Sequence, residues 1–379
     1  MKKILYISNI AGSKASVNFF GTALRAAKRL GMDFYVVANR SASTKEQIKA
    51  DEKEYGVHLL HADISRSPMS LSNLKAYKQI CEIIKKYDID YIHCNTPVGG
   101  VLGRLAGKKC KVKKVLYQAH GFHFYRGAPK KNWIVYYIIE KFLARLTDCI
   151  VTMNEEDNAA AKLFKRRNNG PVYNVHSVGI DLSMYEGIEQ YRESKRQELG
   201  FTESDIVLIS MGDLVVRKNY KVALEAIAKC NNPKLKYLVC GRGEELDNLK
   251  TLAKELNIEK QIHFLGYRTD VKELLAAADV FLFSTLQEGM PRSMMEAMAM
   301  GLPCIASKIR GNVDLLEDGK GGFLCDPYDS DVFAKAINTL INNKEMLSQM
   351  SKWNLEEIKK YDISVVEKEI IEIYSEVLS

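Results

Sequence analysis

Residues 280–306 read VFLFSTLQEGMPRSMMEAMAMGLPCIA. The span 280–284 is a short apolar run that gives way to a polar loop, the pattern of a strand buried on both faces of a sheet. Pro291 suits the first turn of a helix, where its missing N–H costs nothing, and Gly301 with Pro303 marks the helix end. A second apolar run, 303–306, follows at once. Strand, helix and strand in this order make a βαβ unit whose two strands lie parallel.

The same alternation extends in both directions. Apolar runs at 206–211, 237–240, 262–265 and 323–325 join those at 280–284 and 303–306, with helical patterns at 220–230, 244–256 and 293–300. Toward the N-terminus, runs at 4–8, 34–38, 57–60, 91–94, 115–119 and 149–152 alternate with amphipathic stretches such as 71–87 and 132–146. The fold class is therefore α/β, two Rossmann-like domains in tandem, with ligands expected in a cleft at the carboxyl ends of the strands. The charged stretch 186–200 reads as a linker, and 329–379 is helical with no new strand.

Composition narrows the function classes. With 379 residues, 46% hydrophobic and 27% charged, the chain has the make-up of a soluble protein with a sizeable core. No run approaches the roughly 20 apolar residues of a spanning helix. The start, Met1-Lys2-Lys3-Ile4-Leu5-Tyr6, enters a strand without the pattern of a signal peptide, so a cytoplasmic location is expected. The 8 cysteines include no C-x-x-C and read as buried thiols, with no metal site implied. Charge is divided unevenly. Residues 1–180 hold 30 Lys+Arg against 14 Asp+Glu, a net of +16, and the rest of the chain carries −8. Clusters stand at Arg104, Lys108, Lys109, Lys111, Lys113 and Lys114, at Lys130 and Lys131, and at Lys162, Lys165, Arg166 and Arg167. Such a half can meet nucleic acid, an anionic membrane or a phosphorylated substrate, or simply be solvated. No nucleic-acid recognition motif accompanies it, so no nucleic-acid partner is expected.

Two loops carry candidate chemistry. Gly212-Asp213-Leu214-Val215-Val216-Arg217-Lys218-Asn219 follows a strand, and Asn219 is placed to N-cap the helix 220–230. Arg217, Lys218 and Lys221 crowd the positive end of that helix, which the macrodipole disfavours by a few tenths of a kcal/mol each. A bound anion reverses that sign, which makes the loop a phosphate site; the alternative is exposed cations tolerated at small cost. In the second loop, Glu288 precedes a helix that is apolar nearly all round, with only Arg292 and Glu296 on a narrow polar stripe. Such a helix is buried, and its carboxylate needs a partner. Either Arg292 pairs with Glu296 at i,i+4, or Glu296 grips two neighbouring sugar hydroxyls. Asp88-Ile89-Asp90 spells a D-x-D metal motif, but its place just before a strand favours a turn.

Glu288 and Glu296, with Ala297-Met298-Ala299-Met300-Gly301-Leu302-Pro303 after them, resemble the signature of retaining family 4 glycosyltransferases of the GT-B architecture. Asn95-Thr96-Pro97-Val98-Gly99-Gly100, the run from Ala119-His120-Gly121 to Ala128-Pro129, and Gly266-Tyr267-Arg268 extend the resemblance over most of the chain, toward members that build bacterial capsular or exopolysaccharides. The resemblance implies an acceptor domain at 1–185, a nucleotide-sugar domain at 186–360 and a C-terminal helix, 361–379, returning to the first. It implies transfer of a hexose or N-acetylhexosamine from a nucleotide sugar, foremost a UDP-sugar, to a lipid-linked saccharide, without cofactor or metal. Glu288, with backbone at Gly289 and Met290, would contact the donor sugar. Glu296 would hold the ribose, and Lys218 the pyrophosphate, helped by Arg292 and Ser293. Gly266, Tyr267 and Arg268 would meet the base, and His120 would lie near the reacting carbon, against a packing role shared with His123.

Two departures from the family stand out. Asp213 follows Gly212 where the family usually has Arg, so Arg217 is the substitute, and Gly12 stands alone in Ala11-Gly12-Ser13 where many members have paired glycines beside the phosphates. Retention then implies front-face attack, with the leaving pyrophosphate taking the acceptor proton and protein cations stabilising it. Relatives that elongate polyprenyl-linked saccharides work at membranes, and a first domain of net +16 suits a peripheral place on an anionic inner leaflet. The rivals are a nicotinamide dehydrogenase, for which Gly241-Arg242-Gly243 is a fragment of G-x-G-x-x-G with Leu246 at its last position, and a non-catalytic nucleotide-sugar binder.

Overall fold

The computed structural model describes residues 1–9 and 17–378. Gly12 lies outside them. The chain divides into two compact units, Met1–Gly179 with Ile363–Ser379, and Ile180–Asp362.

The first unit is built on a parallel seven-stranded sheet of β1 (Lys3–Ile7), β2 (Asp33–Ala38), β3 (His58–His61), β4 (Tyr91–Asn95), β5 (Lys114–Gln118), β6 (Cys149–Thr152) and β7 (Val172–Asn174). The order is β3-β2-β1-β4-β5-β6-β7, so the winding reverses between β1 and β4. Its core includes Leu5, Ile7, Val37, Ile80, Ile92, Val115 and Ile150, each at most 1% exposed. Helix Pro97–Cys110 lies close on the sheet because it presents glycine there: a Cβ on Gly100 would stand 2.5 Å from the Tyr117 ring and one on Gly103 2.6 Å from Cys94. Helix Ile363–Val377 joins this unit through Tyr374, whose hydroxyl is 2.6 Å from His93 Nδ1, and through Glu367, which pairs with Arg25 and Arg29.

The second unit has a parallel six-stranded sheet of β8 (Ile206–Met211), β9 (Leu235–Cys240), β10 (Ile262–Gly266), β11 (Val280–Phe283), β12 (Cys304–Ser307) and β13 (Gly322–Cys325), in the order β10-β9-β8-β11-β12-β13. The switch point is between β8 and β11. Residues 186–200 are not a free linker. Helix Arg192–Glu198 is tied down by Arg192, which donates to the carbonyls of Ala276 and Ala278, and by Arg196, which donates to those of Ala277 and Thr202. The 8 cysteines are all free thiols, five buried and three partly buried.

Several cations of the first unit are engaged by specific partners. Arg104 is fully buried and forms a two-pronged pair with Glu140, at 2.6 and 3.2 Å. Arg166 donates to the carbonyls of Gly170 and Ala161, Arg167 pairs with Asp148, and Lys113 pairs with Asp90 at 2.6 Å. Asp88 caps a helix in the left-handed conformation, and Asp90 also accepts from the Lys3 N–H at 2.9 Å, so Asp88-Ile89-Asp90 is a turn locked into the sheet. Among the described residues, no three His, Cys, Asp or Glu side chains are grouped to hold a metal ion.

Candidate active site

The loops after β8 and β11, which carry Lys218 and Glu288, flank the point where the winding of the second sheet reverses, the place at which open α/β sheets bind ligands. The loop after β8 turns on Gly212, whose positive φ of 152° is one that other residues rarely adopt. It then makes a single 3-10 turn, Val216–Lys218, before helix Tyr220–Cys230. Asn219 does not cap that helix as expected. It sits in the left-handed region, at φ 52°, and its side-chain amide donates to the Pro327 carbonyl at 2.7 Å. Asparagine tolerates this backbone better than most residues, and a partner 108 residues away claims the side chain.

The turn sends Lys218 toward the loop after β11. Its Nζ donates to Glu288 Oε1 at 2.6 Å and stands 4.8 Å from the centre of the Phe283 ring. Thr285 Oγ1 donates to the same carboxylate oxygen at 2.9 Å, and an Arg217 guanidinium nitrogen lies 3.6 Å from it. The Lys218 and Glu288 side chains are only 11% and 13% exposed, so the pair acts in a medium that screens it less than water does. Arg217, 48% exposed, is the outer of the two cations.

Helix Arg292–Ala299 starts directly after Pro291 and buries Met294, Met295, Ala297 and Met298 completely, as its apolar circumference requires. Arg292 Nε donates to Glu296 Oε1 at 3.0 Å, which is the i,i+4 pairing. Tyr185 lies beside Glu296: burial first, and then the charge of that carboxylate, raises its phenol above the ordinary value. Met290 packs partly buried against the adjoining core. Ser293 is half-buried in the first helical turn, and Gly289 places its carbonyl 2.6 Å from where a Cβ on Gly311 would be.

The loop after β10 begins at Gly266, with φ 66°. Tyr267 is 68% exposed, with Arg242 stacked 5.8 Å from its ring centre. Arg268 is committed to Asp270, at 2.7 Å, and its bond holds that carboxyl well below the usual range. Gly241 and Gly243 have a plain packing reason: a Cβ on either would stand 1.9 Å from the Gly212 carbonyl or 2.1 Å from that of Leu214. The glycines of this G-x-G fragment are set by the neighbouring loop.

His120 belongs to the first unit, just beyond β5. Its Nε2–H donates to Asn95 Oδ1 at 2.7 Å, and desolvation lowers its pKa to about 4, so the ring is neutral near pH 7. It lines a cavity of about 390 Å³ together with Thr96, Val98, Tyr117, Tyr136 and Glu140. Glu140 is held at the wall by Arg104, whose guanidinium also stacks 3.8 Å from the Tyr117 ring centre.

Thus Arg217, Lys218 and Glu288 converge, Arg292 and Glu296 pair on the next helix, and Arg268 is engaged elsewhere in the same unit. Three neighbours carried no sequence signal of their own. Thr285 and Tyr185 contact the two glutamates, and Arg310, 6% exposed, donates to the Glu288 carbonyl at 3.1 Å. The position of Arg310, three residues beyond the end of β12, was the available clue.

Residues 191–355 match the family model of glycosyl transferases group 1, and residues 3–154 match that of the glycosyl transferase 4-like group. EpsD of Bacillus subtilis (strain 168), which carries a glycosyltransferase name, is 35% identical over 353 residues, 92% of this chain and 90% of EpsD. An Escherichia coli UDP-Gal:alpha-D-GlcNAc-diphosphoundecaprenol alpha-1,3-galactosyltransferase is 29% identical over 326 residues, covering 84% of this chain and 82% of that protein. Among solved structures, Anabaena HepE in complex with UDP superposes with a TM-score of 0.80 at 23% identity, over 99% of this chain and all of HepE. Two wound parallel sheets, both group models in their expected order and a relative aligned along nearly the whole length lead to one assignment: the chain belongs to the group 1, family 4-like glycosyltransferases of the GT-B fold.

Proposed function

We propose that this glycosyltransferase moves a hexose or N-acetylhexosamine from a UDP-sugar to a lipid-linked saccharide during assembly of a cell-surface polysaccharide, with retention at the anomeric carbon and without metal or cofactor. The observation that carries the reading is the largely buried Lys218–Glu288 pair at the switch point, with Glu296 on the following helix. A cation and a carboxylate this close hold opposite parts of one ligand: Lys218, with Arg217 outside it, takes pyrophosphate oxygens, while Glu288 accepts from sugar hydroxyls. Glu296 accepts from the two ribose hydroxyls, with Arg292 and Tyr185 fixing its carboxylate. Gly266 and Tyr267 offer backbone to the base, and Gly289, Met290 and Ser293 offer backbone at the helix start. Gly12 is retained from the family pattern as a phosphate-side contact.

In the transfer, the acceptor hydroxyl oxygen bonds to the anomeric carbon on the face from which the pyrophosphate oxygen departs. The departing phosphate takes the hydroxyl proton, and Lys218 and Arg217 stabilise its growing charge, which is the service a metal ion supplies in other transferases. His120, neutral in its pocket with its Nε2–H given to Asn95, offers Nδ1 as an acceptor to a sugar hydroxyl, and the first unit supplies the acceptor site. The UDP seen in HepE and the UDP-Gal and diphosphoundecaprenol in the name of the Escherichia coli relative support the donor and acceptor classes. The acceptor class in turn supports a peripheral place on the cytoplasmic face of an anionic membrane. Among the described residues no helix is long and apolar enough to cross one. The test is nucleoside diphosphate release across UDP- and GDP-sugars with a lipid-linked acceptor, in EDTA, followed by NMR of the product linkage. An α product from an α donor in EDTA is expected; an inverted linkage, or activity restored only by manganese, contradicts the mechanism.

A further inference from the structure

The helical run at residues 130–144 turns its apolar side outward. Lys130–Asn132 and Ile138–Ala144 are α-helical, and the five residues Trp133–Tyr137 between them form a π turn, a feature that recurs at functional sites. The inward face brings Tyr136 and Glu140 to the wall of the His120 cavity, where Arg104 fixes Glu140. The outward face consists of Ile134, Val135, Ile138 and Phe142, which are 63%, 49%, 60% and 55% exposed. They recur at helical spacing and form one ridge.

A second segment, distant in sequence, behaves alike. Arg66, Pro68 and Asn73 line the same cavity, while Met69, Leu71 and Leu74 beside them are 88%, 81% and 66% exposed. Single exposed apolar side chains are ordinary, but two groups around one cavity call for a cover. Charge says which. From Arg126 to Thr147 the chain carries Arg126, Lys130, Lys131, Lys141 and Arg145, and its one acid, Glu140, is turned inward onto Arg104. A second copy of this chain would set these cations against their like. An anionic bilayer accepts both features at once, with apolar side chains entering below the headgroups and the cations remaining at phosphate level.

We infer that residues 130–144 and 66–74 form an interfacial anchor, which inserts its apolar face into an anionic membrane and so brings the His120 cavity to the level of the headgroups. Insertion here, rather than adsorption of the lysines at 108–114, carries the attachment. The inference rests on the proposed lipid-linked acceptor for what the cavity receives, but the anchor is tested without any acceptor.

The chain has 2 tryptophans, Trp133 and Trp353, so Trp353→Phe leaves Trp133 as the only reporter. This variant of the full chain is titrated with phosphatidylglycerol–phosphatidylcholine vesicles whose acyl chains carry bromine. We expect a blue shift of Trp133 emission and quenching by the bromines. Adding Ile134→Ser, Ile138→Ser and Phe142→Ser should lower vesicle affinity about 100-fold, or ~2.8 kcal/mol at tenfold per 1.4 kcal/mol, with UDP affinity and melting temperature unchanged. Replacing Lys108, Lys109, Lys111 and Lys114 by Gln should cost less than the ridge variant does and preserve the quenching, whereas adsorption through those lysines would make each worth about 1 kcal/mol. Absence of quenching at every phosphatidylglycerol content overturns the anchor, as does a triple variant that binds like its parent. A dimer in sedimentation that the triple variant dissolves gives the ridge to a second copy and overturns it as well. UDP-sugar turnover measured without vesicles separates these failures from failure of the proposed reaction.

Discussion

Replacing Lys218 by Met tests the electrostatics of the donor site while keeping the length of the side chain and its packing on Phe283. The lysine Nζ lies 2.6 Å from Glu288 Oε1 in a pocket that leaves it 11% exposed, and Arg217, at 3.6 Å from the same oxygen and 48% exposed, is the cation placed to replace part of its charge there. Losing a hydrogen bond to a charged group costs about 1.5 to 3 kcal/mol, so UDP affinity measured by calorimetry should fall by about 10- to 150-fold. Turnover should fall by about 10² to 10³, since the same cation stabilises charge that grows as the bond breaks. The loss must follow the phosphates. Uridine, which lacks them, should bind the variant within about threefold of the parent, whereas equal losses for uridine and UDP would mean a general collapse of the site. Parent-like UDP affinity in Lys218→Met combined with Arg217→Gln would place the pyrophosphate elsewhere and refute the reasoning.

Glu296→Ala should weaken UDP and uridine alike, by about 10- to 100-fold, because the ribose is common to both; calorimetry with each ligand checks this. Glu288→Gln should lower turnover while changing UDP affinity little, as steady-state rates beside calorimetric affinities would show. Arg104→Met leaves the Glu140 carboxylate buried without its cation and should destabilise the first unit by about 3 to 5 kcal/mol, measured as the shift of its urea unfolding transition. Burial lowers the pKa of His93 to about 3 and that of His120 to about 4. Below the ordinary value of about 6.5 the unfolded chain takes up protons that the folded chain refuses, so stability falls as pH drops from there toward 4, by about 1.36 kcal/mol per pH unit for each histidine. His120→Asn should remove one such slope from the pH dependence of unfolding, and an unchanged slope would contradict the burial argument.

The sheets were legible because parallel strands covered on both faces are apolar throughout, as 206–211 and 280–284 are. β7 escaped because it is three residues long and half-exposed at the sheet edge, which leaves no apolar run. The Glu288 and Glu296 loops were legible from strand ends, helix punctuation and residue type. What could not be read was pairing at a distance. Arg104 looked like one more surface cation because Glu140 stands 36 residues away. Asn219 looked like a cap because Pro327 stands 108 residues on, and 186–200 looked like a linker because its arginines find carbonyls at 276–278. The run at 132–146 was recognisable as amphipathic, but periodicity alone cannot say that its apolar side faces outward.

The central claim is that the Lys218, Glu288 and Glu296 constellation holds the nucleotide sugar, and a crystal structure of the full chain with UDP tests it most directly. The account predicts pyrophosphate oxygens within hydrogen-bond distance of Lys218 Nζ and both ribose hydroxyls on the Glu296 carboxylate. A nucleotide bound elsewhere, with the Lys218–Glu288 pair intact and untouched, would contradict it.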